Sequence, residues 1–243
     1  MSDEAEGPRV SLLVPHCSSL PLRAVLFDAV GTLIHLRAPV GETYARVAGE
    51  VGVAVSAAAL DAAFGPLLRS MPPMVFPQRS AEQVQHAERA WWRDLVRRVF
   101  ADAGVAQWDA ELDCVFDHLF AYYATAEAWR CADGATALLG RLRARGLRTA
   151  LVSNFDHRLH ALLATLGLAP LFDAVVLPAD AGAAKPDARI FDLALARLRV
   201  QAVDAVYVGD DAEDDVAGAR GAGLRAIDVR TAGLAAVDGL LSD

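Results

Sequence analysis

No segment of the sequence is apolar over the roughly 18 residues that a membrane-spanning helix needs, although 54% of its 243 residues are hydrophobic. The apolar residues fall in short runs, the pattern of a soluble globular chain with a sizeable core and no membrane partner. Positive charge is also in short supply: 23 Lys and Arg stand against 31 Asp and Glu, for a formal net charge of −8. A nucleic-acid surface needs many cations to neutralise phosphates, so the balance argues against that class. A small anion remains admissible, because a helix N-terminus or a bound cation can hold one phosphate locally. Cysteine is scarce. Cys17, Cys114 and Cys131 are odd in number and irregularly spaced, which argues against a disulfide framework and fits a reducing cytoplasm. Residues 1–19 contain "SLLVP" but begin with Asp3, Glu4 and Glu6; they read as a flexible N-terminal extension and not as a secretory signal. Cys114 and His118 lie four apart on an expected helix, but two ligands do not make a zinc site; a packed Cys beside a surface His is the simpler reading.

Short apolar runs alternate with helix-like stretches from residue 132 onward. "LRTALVSN" (147–154), "FDAVVLP" (172–178), "DAVYVGD" (204–210) and "LRAIDV" (224–229) read as strands. Helices are expected over 156–166, stopped by Gly167, over the stretch after Pro186, and near 213–222. This alternation predicts parallel strands with helical crossovers, hence an α/β fold with both faces of the sheet covered. An opening strand at 23–30 is separated from that series by about a hundred residues in which only helices are expected. These lie near 42–51, after Ser56, from Ser80 (where Ser80 and Gln83 match a capping box) and near 109–125. In the third, Val84, Ala87, Trp91, Leu95 and Val99 recur at helical spacing, widened by Trp92, Val96 and Phe100. "MPPMVFPQ" (71–78) reads as a loop. The expected organisation is a Rossmann-like core of residues 20–36 plus 131–243, interrupted after its first strand by a helical segment, 37–130.

In open parallel sheets ligands bind beyond the carboxyl ends of the strands. Asp28, Ser153 and Asp210 each stand at such an end, and "AAKPD" (183–187) brings Lys185 to the same rim. "GDDAEDD" (209–215) concentrates five acids beside an apolar strand. Some complement a helix N-terminus, while a hard cation such as Mg²⁺ would offset the repulsion of the rest. Such a set suits a phosphate or carboxylate substrate with a metal. Other chemistry is weakly represented. "GARGAG" (218–223) reads as tight packing and a helix stop, no nucleophile elbow accompanies Ser153 and His157, and His157 and His160 read as surface residues. Arg93, Arg97 and Arg98 read as a solvated helix face.

"FDAVGTL", "LVSN", "AKPD" and "VYVGDDAEDD", in that order, resemble the four motifs of the haloacid dehalogenase superfamily, and the helical segment is placed like that superfamily's cap. "PVGETYA" (39–45), the Trp91 and Trp92 pair, "SNFDHRL" and "KPDARIF" look more closely like its haloacid dehalogenase-like hydrolase domain-containing protein 3 group. The resemblance implies an aspartate nucleophile at Asp28, a phosphate-holding hydroxyl at Ser153 and a charge-neutralising Lys185. It also implies Mg²⁺ held by Asp28, Asp210, Asp214 or Asp215 and the backbone carbonyl of Val30. Thr32 and Asn154 are expected to contact a small anionic substrate such as a phosphate ester.

The departure is Val30, where the superfamily's phosphatases carry an acid that protonates the leaving oxygen and later activates water. Positioned acid–base catalysis supplies roughly 10²- to 10⁴-fold, about 3–5 kcal/mol of barrier. Three readings stay open. A phosphatase without that acid should favour leaving groups that need little protonation, such as phenols or acyl phosphates. A 2-haloacid dehalogenase, whose halide leaves without a proton, would need a carboxylate-binding arginine, for which Arg37 is the candidate. A pseudo-phosphatase would bind a phosphorylated ligand or a protein without turnover, and Val30 would then be ordinary packing at a strand end.

Overall fold

The computed structural model describes residues 22–105 and 110–241. The expected 1–19 extension, Cys17 and the first residue of the expected 109–125 helix lie outside the described residues. Strand β1 (Ala24–Phe27) is followed by β2 (Ile34–Leu36), then by helices α1 (Val40–Glu50), α2 (Ala57–Ser70), α3 (Ala81–Asp102) and α4 (Ala110–Tyr122). Beyond these come β3 (Trp129–Cys131), α5 (Ala135–Ala144), β4 (Arg148–Val152), α6 (Arg158–Thr165), β5 (Ala174–Val176), α7 (Pro178–Ala181), α8 (Ala188–Leu198), β6 (Ala205–Gly209) and β7 (Arg225–Asp228). No described helix is long and apolar enough to cross a membrane.

The chain is an α/β protein whose main sheet is parallel and five-stranded, in the order β5-β4-β1-β6-β7. Strand β1 sits at its centre, Phe27 lying opposite Leu151 of β4 and Val208 of β6. All four of its side chains are fully buried, as a strand covered on both faces requires. Alternation sends Val25 and Phe27 to one face, against Leu138, Leu142 and Leu162 of α5 and α6. Ala24 and Leu26 go to the other, with Ile190, Phe191, Ala194 and Leu198 of α8. The i, i+1, i+4 spacing of those α8 residues places them on one stripe, and Asp187 caps the helix by accepting Arg189 N–H at 2.9 Å. A fully buried Leu or Phe of this kind contributes about 1.5–3 kcal/mol.

Because β1 pairs in register with both neighbours, the residues just past β1, β4 and β6 emerge together at one edge. The opening strand is shorter than the expected 23–30. It ends at Phe27, and a tight turn follows in which Gly31 adopts φ +95° and donates its N–H to Ile34 O at 2.9 Å.

Two strands too short to show an alternating pattern, β2 and β3, pair antiparallel and form the stem through which the chain leaves and re-enters the sheet region. The expectation of helices alone between Leu36 and Arg130 is therefore corrected at its far end. Helices α1–α4 pack on a hydrophobic cluster of their own, with Tyr44, Leu60, Leu95, Phe100, Val115 and Phe116 among its buried members. The capping box at α3 is present, with Ser80 N–H on Gln83 Oε1 at 2.9 Å and Gln83 N–H on Ser80 Oγ at 3.3 Å. The apolar stripe of α3 divides, however. Leu95, Val96, Val99 and Phe100 are buried among the helices, whereas Trp91 and Trp92 are only half-buried and face the α/β edge.

The helical layer is tied to the sheet layer by a buried network. Asp156, fully buried, accepts Arg158 Nε at 2.8 Å, Arg158 Nη2 at 2.6 Å and Trp92 Nε1 at 2.7 Å. Arg158 also donates to Phe120 O at 2.9 Å, its guanidinium 3.7 Å from the Phe120 ring centroid. His157, expected at the surface, instead pairs through Nδ1 with Glu88, a carboxylate that is 2% exposed on α3. Burial pushes the Glu88 carboxyl upward, opposed by its bonds to His157. His160 is exposed as expected. Removing one member of a buried ion pair strands the other charge, at about 3–5 kcal/mol. Arg158→Met is accordingly expected to lower the unfolding free energy by about that much in chemical denaturation, and Asp156→Leu in the same chain should restore a large part of it.

Candidate active site

Asp28 leaves the end of β1 with 5% of its surface exposed. Its carboxylate Oδ1 accepts Lys185 Nζ at 2.7 Å. The same ammonium reaches Asp215 Oδ1 at 2.5 Å and the Tyr207 hydroxyl at 3.2 Å, so all three of its protons are used. Burial alone would lower the Lys185 ammonium, but the two carboxylates outweigh it and the net shift is upward. Burial pushes the Asp28 carboxyl up, Lys185 opposes this and Asp215 adds to it. One cation between two anions leaves the buried trio with a net negative charge.

Lys185 is the sole lysine of the chain, every other basic side chain of its class being arginine. That compositional fact distinguishes it from a solvated lysine without any structure. Its loop is gripped by Asn154, which accepts Lys185 N–H at 2.8 Å and donates to Lys185 O at 3.0 Å. The Asn154 amide also lies 3.3 Å from Asp214 Oδ2. Asn154 thus lines the cavity but has most of its bonding capacity committed to the Lys185 loop. Gly218, in "GARGAG", lets that loop approach closely: a Cβ there would lie 2.9 Å from Pro186 Cα. Ser153 is buried and accepts Phe155 N–H on Oγ at 3.3 Å, leaving its hydroxyl proton for a ligand.

The five acids of "GDDAEDD" separate by environment. Asp215, 1% exposed, accepts Tyr207 OH at 2.8 Å on Oδ1 and the N–H groups of Asp210 and Asp211 at 3.1 and 3.0 Å on Oδ2. It is placed to hold Lys185 and the loop. Gly209 makes room for it, since a Cβ there would fall 2.5 Å from Asp215 Oδ2. Asp211 caps the π-helical segment Ala212–Ala217, accepting Glu213 and Asp214 N–H at 2.8 Å each. Those backbone bonds hold its carboxyl below the usual range. Asp214 is half-buried, reaches Asn154, and is pushed upward by burial. Glu213 is exposed at the cavity rim.

Asp210 is pushed upward by burial and then by Asp215. Its carboxylate packs over Gly31, where a Cβ would be 2.5 Å from Oδ2, and lies 3.5 Å from Thr32 Oγ1. Asp28, Asp210 and Asp215 each place one carboxylate oxygen within 4.8 Å of the other two. Hard oxygen donors with unbalanced negative charge fit a divalent cation. Of the two alternatives, Asp214 and Asp215, it is Asp215 that falls in this group. A second cluster, Glu88, Asp156 and His157, has its charge already met by Arg158 and by the Glu88–His157 pair. Cys114 is exposed, not packed, with Sγ 3.9 Å from His118 Nε2; among the described residues no third ligand joins them.

Three further expectations change. Thr32, expected to contact substrate, is buried with Oγ1 toward Asp210 and is not among the residues that line the cavity. Arg37 is exposed beside the stem, its N–H on Ala128 O, and also does not line the cavity. An arginine that does reach the cavity from the helices is Arg69, at the end of α2, which makes no ion pair among the described residues. Val30 is not packed away: it is 37% exposed and forms part of the cavity wall. Tyr207 escaped the sequence reading because a tyrosine in an apolar strand looks like core. Its signal was the buried hydroxyl, which requires a partner. Arg97 and Arg98 form the expected solvated face, paired with Asp94.

These groups occupy one end of a cavity of about 790 Å³ that extends between the sheet edge and the helical layer. The arrangement brings together a buried carboxylate, a fixed cation, a hydroxyl donor and a group of acids that could hold a metal, with the apolar Val30 side chain beside them.

Comparison with known proteins bears on what this edge does. The family model for haloacid dehalogenase-like hydrolases matches residues 22–223. Haloacid dehalogenase-like hydrolase domain-containing protein 3 of Mus musculus is 38% identical over 205 residues, covering 84% of this chain and 80% of the relative. A solved structure described as a dehalogenase superposes with a TM-score of 0.61 at 26% identity, over 86% of this chain and 84% of its own. An HAD phosphatase from Thermococcus onnurineus superposes at 0.51 and 22% identity, over 85% and 86%, a likeness of fold. The two neighbours are named for different chemistries, so the fold alone does not choose between them. Both the extent of the family match and the relative covering most of the chain lead to one assignment: the chain belongs to the haloacid dehalogenase-like hydrolase family.

Proposed function

We propose that the protein is a Mg²⁺-dependent phosphate-ester hydrolase with Asp28 as nucleophile, restricted to esters whose leaving group departs without a proton. The observation that carries this reading is the Lys185 ammonium fixed between Asp28 and Asp215. A cation bonded to the nucleophile offsets the repulsion between a carboxylate and a phosphate dianion, and holds the attacking group in place. Ser153 would donate its hydroxyl proton to a phosphate oxygen. Asp28 and Asp210, with the Val30 carbonyl and Asp215 behind them, would hold Mg²⁺, which supplies positive charge against the transferring phosphoryl group.

In the first half of the reaction an Asp28 oxygen bonds to phosphorus while the ester oxygen leaves with its electron pair. Water then cleaves the aspartyl-phosphate and restores the carboxylate. Val30 has no proton to give in either half. The helical layer over the edge would act as the cap that selects the leaving group, and a cytoplasmic setting accords with the scarce cysteine.

One observation favours a second reading. Val30 in the wall suits loss of halide, which needs no proton, and Arg69 could meet a haloacid carboxylate. The carboxylate of Asp210 weighs the other way: Asp28 would be the nucleophile in either reaction and Asp215 holds Lys185 in both, but Asp210 adds a negative charge that repels a haloacid carboxylate and that a metal-free reaction has no use for.

With Mg²⁺ present, 4-nitrophenyl phosphate is expected to be hydrolysed, and Asp28→Asn or excess chelator should reduce the rate to background. Absence of turnover across a phosphate-ester panel, with tight phosphate binding, would make the protein a binding pseudo-phosphatase instead. Chloride release from 2-chloropropionate that persists under chelation would decide for the dehalogenase. Val30→Asp is expected to raise turnover of an alkyl phosphate by up to about 10²- to 10⁴-fold; an unchanged rate in the folded variant would mean that the pocket has no water path for the new acid to use.

A further inference from the structure

We infer that the substrate is an aryl phosphate, a monoester of a phenol-like hydroxyl on an apolar ring system; this rests on the phosphate-ester reading above. Two independent features of the cavity converge on that class. The first is chemical. Val30 is exposed in the same cavity as Asp28, so the leaving oxygen meets a hydrocarbon side chain and must depart as a stable anion. Phenolates do so readily, whereas sugar and glycerol alkoxides do not.

The second is the cavity wall. Away from the carboxylates it is built from aromatic side chains, including Phe64, Trp91, Trp92, Phe120, Trp129 and Phe155. The three indole N–H groups there are already spent. Trp91 donates to Pro72 O at 2.8 Å, Trp92 to Asp156 Oδ2 at 2.7 Å and Trp129 to Tyr123 O at 3.0 Å. Arg158, which also lines the cavity, is committed to Asp156 and Phe120 O. These residues therefore present ring faces and edges without a free donor, and Trp129 and Phe155 meet edge-to-face at 5.7 Å; the polar groups left on this part of the wall are Arg69 and the buried Tyr123 hydroxyl, which has no hydrogen-bond partner among the described residues. A polyhydroxylated leaving group would bury against these rings every hydroxyl that Arg69 and Tyr123 do not meet, at roughly 5- to 150-fold in binding for each. An aromatic ring buries apolar area and stacks there. The volume of about 790 Å³ lies within the usual range for a drug-sized ligand, so there is room for one or more rings beyond the phosphate.

The overall reaction is hydrolysis. The Asp28 oxygen–phosphorus bond forms as the aryl oxygen–phosphorus bond breaks, the phenolate takes a proton from water, and a second water releases inorganic phosphate from Asp28.

The test compares kcat/KM of the full chain with Mg²⁺ for 1-naphthyl phosphate, phenyl phosphate, acetyl phosphate and glycerol 3-phosphate. The naphthyl ester is expected to be the best substrate and glycerol 3-phosphate at least a hundredfold poorer. Acetyl phosphate, which leaves easily but lacks a ring, should fall at least tenfold below the naphthyl ester. Glycerol 3-phosphate or acetyl phosphate within tenfold of it would overturn the inference while leaving the phosphatase reading intact. A non-hydrolysable pair separates the two claims from the other side. Phenylphosphonate is expected to bind the wild-type protein at least tenfold more tightly than methylphosphonate in calorimetric titration with Mg²⁺. That preference would support the aryl-binding wall even if no ester were turned over, and equal affinity would overturn it.

Discussion

The site is organised by one ammonium held between two buried carboxylates. Lys185 carries its charge into the interior only because Asp28 and Asp215 receive it, and in return it offsets the burial of two carboxylates. Several other features exist to keep that arrangement in place. Asn154 clasps the backbone of the lysine loop, Tyr207 fills the remaining donor direction, Gly209 leaves space for Asp215, and Gly218 lets the loop settle against the neighbouring helix. The cost of desolvating three charges is thus offset by residues past β4, on β6 and beside the lysine loop, and two of them are glycines that make room for the close approach. The remaining negative charge is what gives the site its appetite for a cation.

The sheet was legible because its strands are apolar on both faces and its helices amphipathic, so the change from a short continuous apolar run to a 3.6-residue repeat marks each crossover. The convergence of Asp28, Ser153, Lys185 and Asp210 followed from their positions at strand ends. Less was legible where the signal is spatial. Asp214 and Asp215 are adjacent in sequence and chemically identical, and only the turn of the π-helical segment sends one inward to Lys185 and the other toward Asn154. Arg37 and Arg69 differ in reach for a similar reason: the first stands beside a three-residue strand whose presence no pattern reveals, the second at the end of a helix that points to the cavity. In the binding-protein reading Val30 was ordinary packing at a strand end, yet β1 stops three residues earlier, at Phe27, and the Val30 side chain faces the cavity.

The contact between the helical layer and the sheet layer has a different character from either core. It is made of an arginine, a histidine and two carboxylates, with aromatic rings closing over the guanidinium. Such groups need defined directions, so they specify one docking angle between the layers where an apolar contact would tolerate several. The segment that carries them, Asp156 to Arg158, begins two residues after Asn154, and the same short stretch therefore fixes both the lysine loop and the position of the helices over it.

The lone lysine has a consequence for the kind of reactivity the protein can show. Outside the site the side-chain cations are guanidinium groups, which do not act as nucleophiles near neutral pH. The only side-chain amine is the one clamped by two carboxylates, which keep it protonated and without a lone pair. In the proposed reaction an electrophile held beside Asp28 would thus meet a carboxylate able to attack and an amine that is not, so the ion pair at this edge would also decide which of the two groups acquires the transferred group.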